Sequence, residues 1–171
     1  MNKQRNKQTI GVDDAYFMLQ AIKEAYKARK AKEIPIGAVI IKDKEIIAKG
    51  FNKCISLFDP TAHAENIALR KAAKKFKNYR LNNCSIYVTI EPCMMCIGAL
   101  INARIKRIIF GACDKKIGAC ESIYKVTMHK KLNHKIEIKG GEERYLSTKC
   151  ADIIKNFFKE KRAENKKVIL I

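Results

Sequence analysis

Four residues in two short segments have the types and spacing that metal chemistry requires. His63 and Glu65 stand two positions apart in the first segment, and Cys93 and Cys96 stand three apart in the second. Cysteines three apart on a helix lie on one face, so both sulfurs can point at one atom. Two thiolates and one imidazole make three of the four ligands of a tetrahedral Zn²⁺, and the fourth position is then open to water. The pattern predicts a zinc site of the catalytic kind, held by His63, Cys93 and Cys96.

Glu65 has a different predicted role from the three ligands. It lies about 200° around a helix from His63, so it is badly placed to ligate beside that residue. A carboxylate there can still reach a water on the metal, take a proton from it and return the proton to a leaving group. We therefore expect Glu65 to be the catalytic acid and base.

A Cys-x-x-Cys pair by itself also occurs in structural zinc ribbons and in redox dithiols. A structural zinc ribbon needs a second such pair, and the sequence has only the one at Cys93 and Cys96. A redox dithiol is disfavoured because Pro92 precedes the pair and no thioredoxin-like pattern surrounds it. The conjunction of His-x-Glu, an intervening strand and Pro-Cys-x-x-Cys favours the catalytic site.

Hydrophobic periodicity and turn residues predict the elements that carry these residues. We expect helices over 13–32, 62–76, 92–103 and 147–167, a hairpin of strands 36–41 and 45–51, and strands over 85–89, 106–111 and 136–138. Thr61 is expected to cap the second helix and Pro92 to open the third. His63, Cys93 and Cys96 would then lie in first turns, where the helix dipole favours thiolate. Strands alternating with helices predict a layered α/β domain, and the hairpin makes its sheet mixed.

The composition limits the class of protein and suggests a partner. The 171 residues carry 36 Lys+Arg against 17 Asp+Glu, a net charge of +19, and 47% are apolar. These values exclude a disordered chain, and no apolar stretch approaches the roughly 20 residues of a membrane span. No acid occurs over residues 66–90, whereas six basic residues cluster over 70–80. Nucleic acid would gain affinity from this charge, although an AT-rich genome accounts for the excess of lysine equally well.

Domain organisation and compartment follow from the length and the cysteines. We expect one domain over residues 1–171, with 1–10 as a flexible tail, since the chain shows no linker or repeat. The polar start gives no sign of a secretory signal. Seven cysteines, an odd number, fit a reducing compartment, so we expect a cytoplasmic protein. Those outside the zinc set are expected to pack as small apolar side chains: Cys54, Cys84, Cys113, Cys120 and Cys150.

Several segments resemble the bacterial tRNA-specific adenosine deaminases of the cytidine deaminase-like superfamily. They are residues 50–52, 59–65, 78–81, 87–96, 110–114, 133–134 and 156–158, which spread the likeness over roughly residues 10–165. His-Ala-Glu followed by Pro-Cys-x-x-Cys is typical of zinc-dependent nucleobase deaminases as a whole. The string Asp-Pro-Thr-Ala-His-Ala-Glu at 59–65 narrows the resemblance to the tRNA branch.

This resemblance implies a fold and an activity. The fold would be a three-layer α/β/α with a central mixed sheet of about five strands. The activity would be hydrolytic conversion of adenosine to inosine at the wobble position of a tRNA anticodon, by attack of zinc-bound hydroxide on C6 of a flipped-out adenine. One Zn²⁺ would be held per subunit by His63, Cys93 and Cys96, with Glu65 moving protons.

The resemblance also implies substrate contacts and partners. Asn52 would bond the flipped base, the backbone around Ala64 and Pro92 would contact its reacting edge, and Asp114 would lie near the anticodon nucleotides. The partners would be the tRNA anticodon stem-loop and a second copy of the chain in a homodimer.

Two other functions stay open at this point. One is a small-molecule deaminase of the same superfamily, acting on guanine, cytosine or a nucleotide, which the high positive charge disfavours. The other is a non-catalytic, zinc-stabilised RNA-binding module. Glu65 argues against the second, because a merely structural zinc site has no use for a carboxylate beside it.

Overall fold

One five-stranded sheet organises the protein in its computed structural model, which describes residues 12–140 and 144–168. The strands are β1 (Gly37–Lys42), β2 (Glu45–Phe51), β3 (Ser85–Ile90), β4 (Arg107–Ala112) and β5 (Glu137–Gly140). The helices are α1 (Val12–Lys30), α2 (Cys54–Leu57), α3 (Ala64–Phe76), α4 (Met94–Asn102) and α5 (Arg144–Val168), and a 3₁₀ turn covers Val126–Met128. Every helix and strand expected from the sequence is present, while α2 lies in a stretch expected to be a loop. The tail expected over 1–10 lies outside the described residues.

The sheet is mixed, as the sequence predicted. Its strand order is β2-β1-β3-β4-β5, with β1 antiparallel to both neighbours and β3, β4 and β5 parallel. Asp43 and Lys44 join β1 to β2 and both adopt positive φ, at 49° and 63°. This is the conformation of a two-residue hairpin turn whose twist matches that of the flanking strands.

Alternate side chains of the strands divide the core into two clusters. Ala38 and Ile40 of β1 pack with α3 and α4, whereas Val39 and Ile41 pack with α1 and α5. This follows from the two-residue period of a strand, which points successive side chains to opposite faces. Helices therefore cover both faces of the sheet, and the expected three-layer α/β/α fold is confirmed.

Helices α3 and α4 begin two residues later than the sequence predicted. His63 and Cys93 are N-cap residues with extended backbone, at ψ 156° and 174°. Pro92 lies outside the first turn of α4, because the loop after β4 holds this segment extended. The Pro92 carbonyl accepts a hydrogen bond from the Ala119 N–H at 2.9 Å, and Cys93 forms an antiparallel bridge with Gly118.

Thr61 does not cap α3, contrary to expectation. Its N–H and its hydroxyl both donate to Oδ1 of Asp59, at 2.7 and 2.6 Å. The first amide of α3, that of Ala64, donates instead to Oδ1 of Asn52 at 2.8 Å. The cap therefore comes from the end of β2, a residue that local sequence patterns do not connect with the helix.

The cysteines outside the predicted zinc set were expected to be buried. Cys84, Cys120 and Cys150 are buried, as expected, but Cys113 is exposed and Cys54 is partly exposed, so apolar packing was the wrong interpretation for Cys113.

Across the described ranges no helix has both the length and the apolar character needed to cross a bilayer.

Candidate active site

The three predicted metal ligands meet where α3 and α4 begin. His63 is the N-cap of α3, Cys93 is the N-cap of α4, and Cys96 lies in the first turn of α4. Their ligand atoms all lie within 4.8 Å of one another. Nδ1 of His63 is 3.7 Å from Sγ of Cys93 and 3.5 Å from Sγ of Cys96. The fold thus brings together the residues that the sequence singled out.

These separations suit a tetrahedral zinc ion. With Zn–S bonds of about 2.3 Å and a Zn–N bond of about 2.05 Å, a tetrahedral angle places sulfur and nitrogen about 3.6 Å apart. The two observed N···S distances, 3.5 and 3.7 Å, lie on either side of that value. One imidazole nitrogen and two sulfurs are also a donor set that zinc accepts in sites with a fourth, open position. The residues present therefore fit the metal.

Mutual contacts among the three side chains shift their pKa values in different directions. The hydrogen bond with Cys96, reinforced by His63, lowers the pKa of Cys93 to about 4 in spite of burial. The hydrogen bond with Cys93, together with burial, raises the pKa of Cys96. The hydrogen bond with Cys93 also raises the pKa of His63. The lowered pKa of Cys93 favours the thiolate, the form in which cysteine binds metals.

Glu65 is buried in the first turn of α3, and one of its oxygens has no partner. The residue is 2% exposed, and among the described residues Oε2 is the one buried side-chain polar atom without a hydrogen bond. Burial raises the pKa of Glu65, and the nearby His63 partly opposes this. An orphaned carboxylate oxygen in a protein interior is expensive, so its presence indicates a site that a ligand completes.

Asn52 connects the end of β2 to the start of α3. It is 2% exposed, and its Oδ1 accepts the Ala64 N–H described above. Gly50 allows strand and helix to approach closely, because a Cβ there would lie 2.7 Å from the backbone nitrogen of Ala68. The buried Asn52 amide therefore fixes the start of α3, where His63 stands as the N-cap.

Pro92 and Asp114 lie at the carboxyl ends of β3 and β4, at the same edge of the sheet. Pro92 is buried, and Asp114 is partly exposed. The Asp114 carboxylate accepts the N–H groups of Lys116 and Ile117, at 2.8 and 3.2 Å, which fixes the first turn after β4. All four expected substrate-contact residues thus lie at the end of the fold that carries the predicted zinc ligands, and their roles toward substrate stay predictions.

Two buried carboxylates were missed by sequence reasoning, one directly before Pro92 and one after the end of α1. Glu91 and Glu33 are each 1% exposed. Burial would raise the pKa of each carboxyl, but hydrogen bonds from loop or helix donors outweigh it and hold both pKa values below the ordinary one. An acidic residue directly after a buried strand and before proline was a signal available for Glu91. Glu33, at the lysine-rich end of α1, gave none.

Comparison with known proteins agrees with this geometry. Residues 12–162 match the family model of the MafB19-like deaminases. A tRNA-specific adenosine deaminase of Buchnera aphidicola subsp. Schizaphis graminum is 47% identical over 149 residues, which are 87% of this chain and 96% of that protein. The chain is a MafB19-like deaminase and belongs to the tRNA-specific adenosine deaminases.

Solved structures distinguish this family from a neighbouring one. A structure from biochemical and structural studies of A-to-I editing by tRNA:A34 deaminases at the wobble position of transfer RNA matches with a TM-score of 0.75 and 38% identity, over 80% of this chain and 99% of that one. A guanine deaminase from Bacillus subtilis matches with a TM-score of 0.58 and 37% identity, over 72% and 82%. The match to the tRNA:A34 deaminase structure has the higher TM-score and covers more of both chains. The resemblance to the tRNA-specific adenosine deaminases predicted from the motifs is confirmed.

Proposed function

We propose that the protein deaminates adenosine to inosine at the wobble position of a tRNA anticodon, in a zinc-dependent reaction. The observation that carries this proposal is the orphaned Oε2 of buried Glu65 beside three atoms in zinc-ligand geometry. A zinc site that only stabilises a fold needs no such carboxylate. Glu65 therefore favours an enzyme over a zinc-stabilised RNA-binding module.

His63, Cys93 and Cys96 would hold the ion through Nδ1 and the two Sγ atoms. When bound, zinc would act as a Lewis acid that lowers the pKa of a coordinated water and so supplies a nucleophile near neutral pH. The start of α4 supports the two cysteines, because the positive end of a helix dipole favours thiolate. Cys93 is the N-cap of that helix and Cys96 lies in its first turn, which sets their spacing.

Glu65 would move the protons of the reaction. Hydrolysis at C6 of adenine requires the attacking water to lose a proton and the departing amino group to gain one. A carboxylate that takes this proton at Oε2 and gives it to the amino nitrogen lets the C6–N bond break and ammonia leave, and the second proton of the water passes to N1 of the ring as the C6 carbonyl of inosine forms. Burial raises the pKa of Glu65, which brings it nearer the pH at which a group can both accept and release a proton.

Four further residues would bind the adenine and its neighbours. Nδ2 of Asn52, whose Oδ1 accepts the Ala64 N–H, would donate to an acceptor on the base. The backbone around Ala64 and Pro92 would border the reacting edge. Asp114, held at the start of the loop after β4, would meet the adjacent anticodon nucleotides.

The distribution of charge favours RNA over a free base as substrate. We call the exposed basic side of α3 and its C-cap the α3 basic face: Arg70, Lys71, Lys74, Lys75 and Lys77. The helix begins beside the ligand His63 and its 13 residues extend about 20 Å from it. A basic surface leading away from the site suits the phosphates of an RNA stem, whereas a neutral nucleobase has no use for it.

The protein would act as a homodimer in the cytoplasm. The segment of α2 exposes three apolar side chains, with Ile55, Leu57 and Phe58 at 61%, 51% and 93%. Clustered exposed apolar residues mark contact surfaces, and a second copy of the chain would cover them. A reducing compartment suits a site that needs two cysteine thiolates. Sedimentation of the purified protein tests the dimer, and a monomer at micromolar concentration would contradict it.

Assays on matched substrates test the proposed function. The zinc-loaded protein is incubated with an anticodon stem-loop bearing adenosine at the wobble position, and separately with free adenosine, cytidine, cytosine and guanine. We expect conversion of the stem-loop adenosine alone, detected as guanosine after reverse transcription. A stem-loop with the adenosine moved by one position is the control. Turnover of free guanine or cytosine without action on the stem-loop would establish the competing small-molecule activity instead.

A further inference from the structure

We propose that Glu91 is a positioning residue whose buried carboxylate anchors the 113–122 loop against the zinc-ligand segment and thereby fixes Asp114. Its meaning for substrate binding rests on the function proposed above. The anchoring itself rests on the contacts of Glu91, which do not depend on any substrate.

Both oxygens of Glu91 are occupied by donors from this loop. Oε1 accepts the N–H groups of Cys120, Glu121 and Ser122, at 3.1, 2.8 and 2.9 Å. Oε2 accepts the Asp114 N–H at 3.1 Å and also the Ser122 hydroxyl. One side chain thus holds both ends of the loop: Oε2 binds Asp114 together with the Ser122 hydroxyl, and Oε1 binds the N–H groups of residues 120–122. Hydrogen bonds to an ionised carboxylate are among the stronger ones in proteins.

The loop lies directly on the segment that supplies Cys93. The Ala119 N–H donates to the Pro92 carbonyl at 2.9 Å, and Gly118 pairs with Cys93. There is no room for a side chain at Gly118, because a Cβ would lie 2.5 Å from the Asp114 carbonyl oxygen and 2.6 Å from Cδ of Glu91. A displacement of the loop would therefore disturb both its contacts with Pro92 and Cys93 and the position of Asp114.

The chemistry of the contacts requires a carboxylate. All five partners of Glu91 are donors, and a carboxylate is a pure acceptor with lone pairs on both oxygens. The substitution Glu91→Gln keeps the shape but turns one acceptor into an NH₂ group, which must face backbone N–H donors. It should loosen the loop at Asp114 and at residues 120–122, while the proposed zinc ligands stay together at the starts of α3 and α4.

Hydrogen exchange on the zinc-loaded chain tests the anchoring without an activity assay. In Glu91→Gln we expect the amides of the loop, those of Asp114 and residues 120–122, to exchange about tenfold faster or more, with zinc content unchanged. Glu33→Gln is the matched control, since Glu33 is equally buried and accepts the N–H groups of Ile55 and Ser56. That variant should accelerate exchange in α2 and leave the loop as in wild type. Unchanged loop exchange in Glu91→Gln, or acceleration throughout the chain, would overturn the proposal.

A double-mutant cycle tests whether Glu91 acts through Asp114. We expect Glu91→Gln to raise the KM for the stem-loop about tenfold and to leave kcat within about twofold. In an Asp114→Ala background, Glu91→Gln should raise KM little further, because the side chain that Glu91 positions is absent. If the two substitutions raise KM by factors that multiply in the double variant, Glu91 does not act through Asp114. If wild type fails to act on the stem-loop while the exchange result holds, the proposed function fails and the anchoring by Glu91 stands.

Discussion

Nδ1 of His63 lies 3.5 Å from Sγ of Cys96, although 33 residues separate them in the chain. The contact exists because α3 and α4 pack on the same face of the sheet and begin at the same edge of it. Each ligand stands at a helix start, where backbone N–H groups and the helix dipole favour negative charge. Glu65 enters the same site with the first turn of α3, so the two helix starts together carry the proposed zinc ligands and the proposed proton carrier.

Replacing Glu65 with glutamine should abolish catalysis without removing zinc. The amide cannot accept and release the proton, so we expect the rate on the stem-loop to fall by about 10²–10⁴-fold. Zinc content, measured by elemental analysis, should stay at the wild-type level because Glu65 is not a ligand. Glu45→Gln, an exposed change in β2, is the control and should keep full activity. Activity retained in Glu65→Gln would remove the main argument for the proposed mechanism.

Replacing Cys96 with serine should remove zinc and activity together. A serine hydroxyl is a poor zinc ligand, so we expect the molar ratio of zinc to protein to drop sharply. Cys84→Ser is a well-matched control, since both side chains are 0% exposed and Cys84 lies away from the three ligands. That variant should lose some stability and keep its zinc. Equal zinc contents in the two variants would show that Cys96 does not bind the metal.

The grouping of the three candidate ligands and the element order could be predicted because both depend on local patterns. The i, i+3 spacing of Cys93 and Cys96 is a property of one helical turn, and the strands and helices follow from hydrophobic periodicity. The hairpin turn at Asp43 and Lys44 was likewise local. The candidate site residues could therefore be selected from their types and spacings alone.

The parts that sequence reasoning missed depend on contacts between distant segments. The cap of α3 comes from Asn52 rather than Thr61, and α4 begins at Met94 because Gly118 holds Cys93 extended. The anchor at Glu91 joins residues 23 to 31 positions apart. Hydrophobic periodicity in the sequence does not predict such hydrogen bonds, because they form only between segments that the folded sheet brings together.

Glu33 should make the stability of the fold depend on pH. Burial acts to raise its pKa, but hydrogen bonds from Ser56 and Ile55 outweigh this and leave the pKa below the ordinary value. A carboxyl with a lowered folded-state pKa stabilises the fold fully above its unfolded pKa of about 4.3, and loses this contribution as the pH falls through the folded pKa. Glu33→Gln should therefore be less stable than wild type by about 1–3 kcal/mol near neutral pH, with the difference shrinking below about pH 4.

Urea unfolding of wild type and Glu33→Gln at a series of pH values measures this difference. Glu45→Gln, whose side chain is exposed, should follow wild type throughout. A stability gap that stays constant from neutral to acid pH would mean that the ionised carboxylate of Glu33 contributes nothing beyond its packing.

Charge reversal on the α3 basic face should weaken binding of the anticodon stem-loop. In the double variant Lys74→Glu and Lys75→Glu we expect lower affinity for the stem-loop. The slope of log K against the logarithm of the salt concentration should also become less negative, by about 0.7–0.9 for each phosphate contact that is lost. The control is Lys23→Glu with Lys30→Glu, the same charge change on exposed positions of α1, which packs on the opposite face of the sheet. Because net charge is equal in the two variants, a difference between them reports the location of the charge. Equal losses would show that RNA responds only to total charge, and the α3 basic face would then have no part in docking.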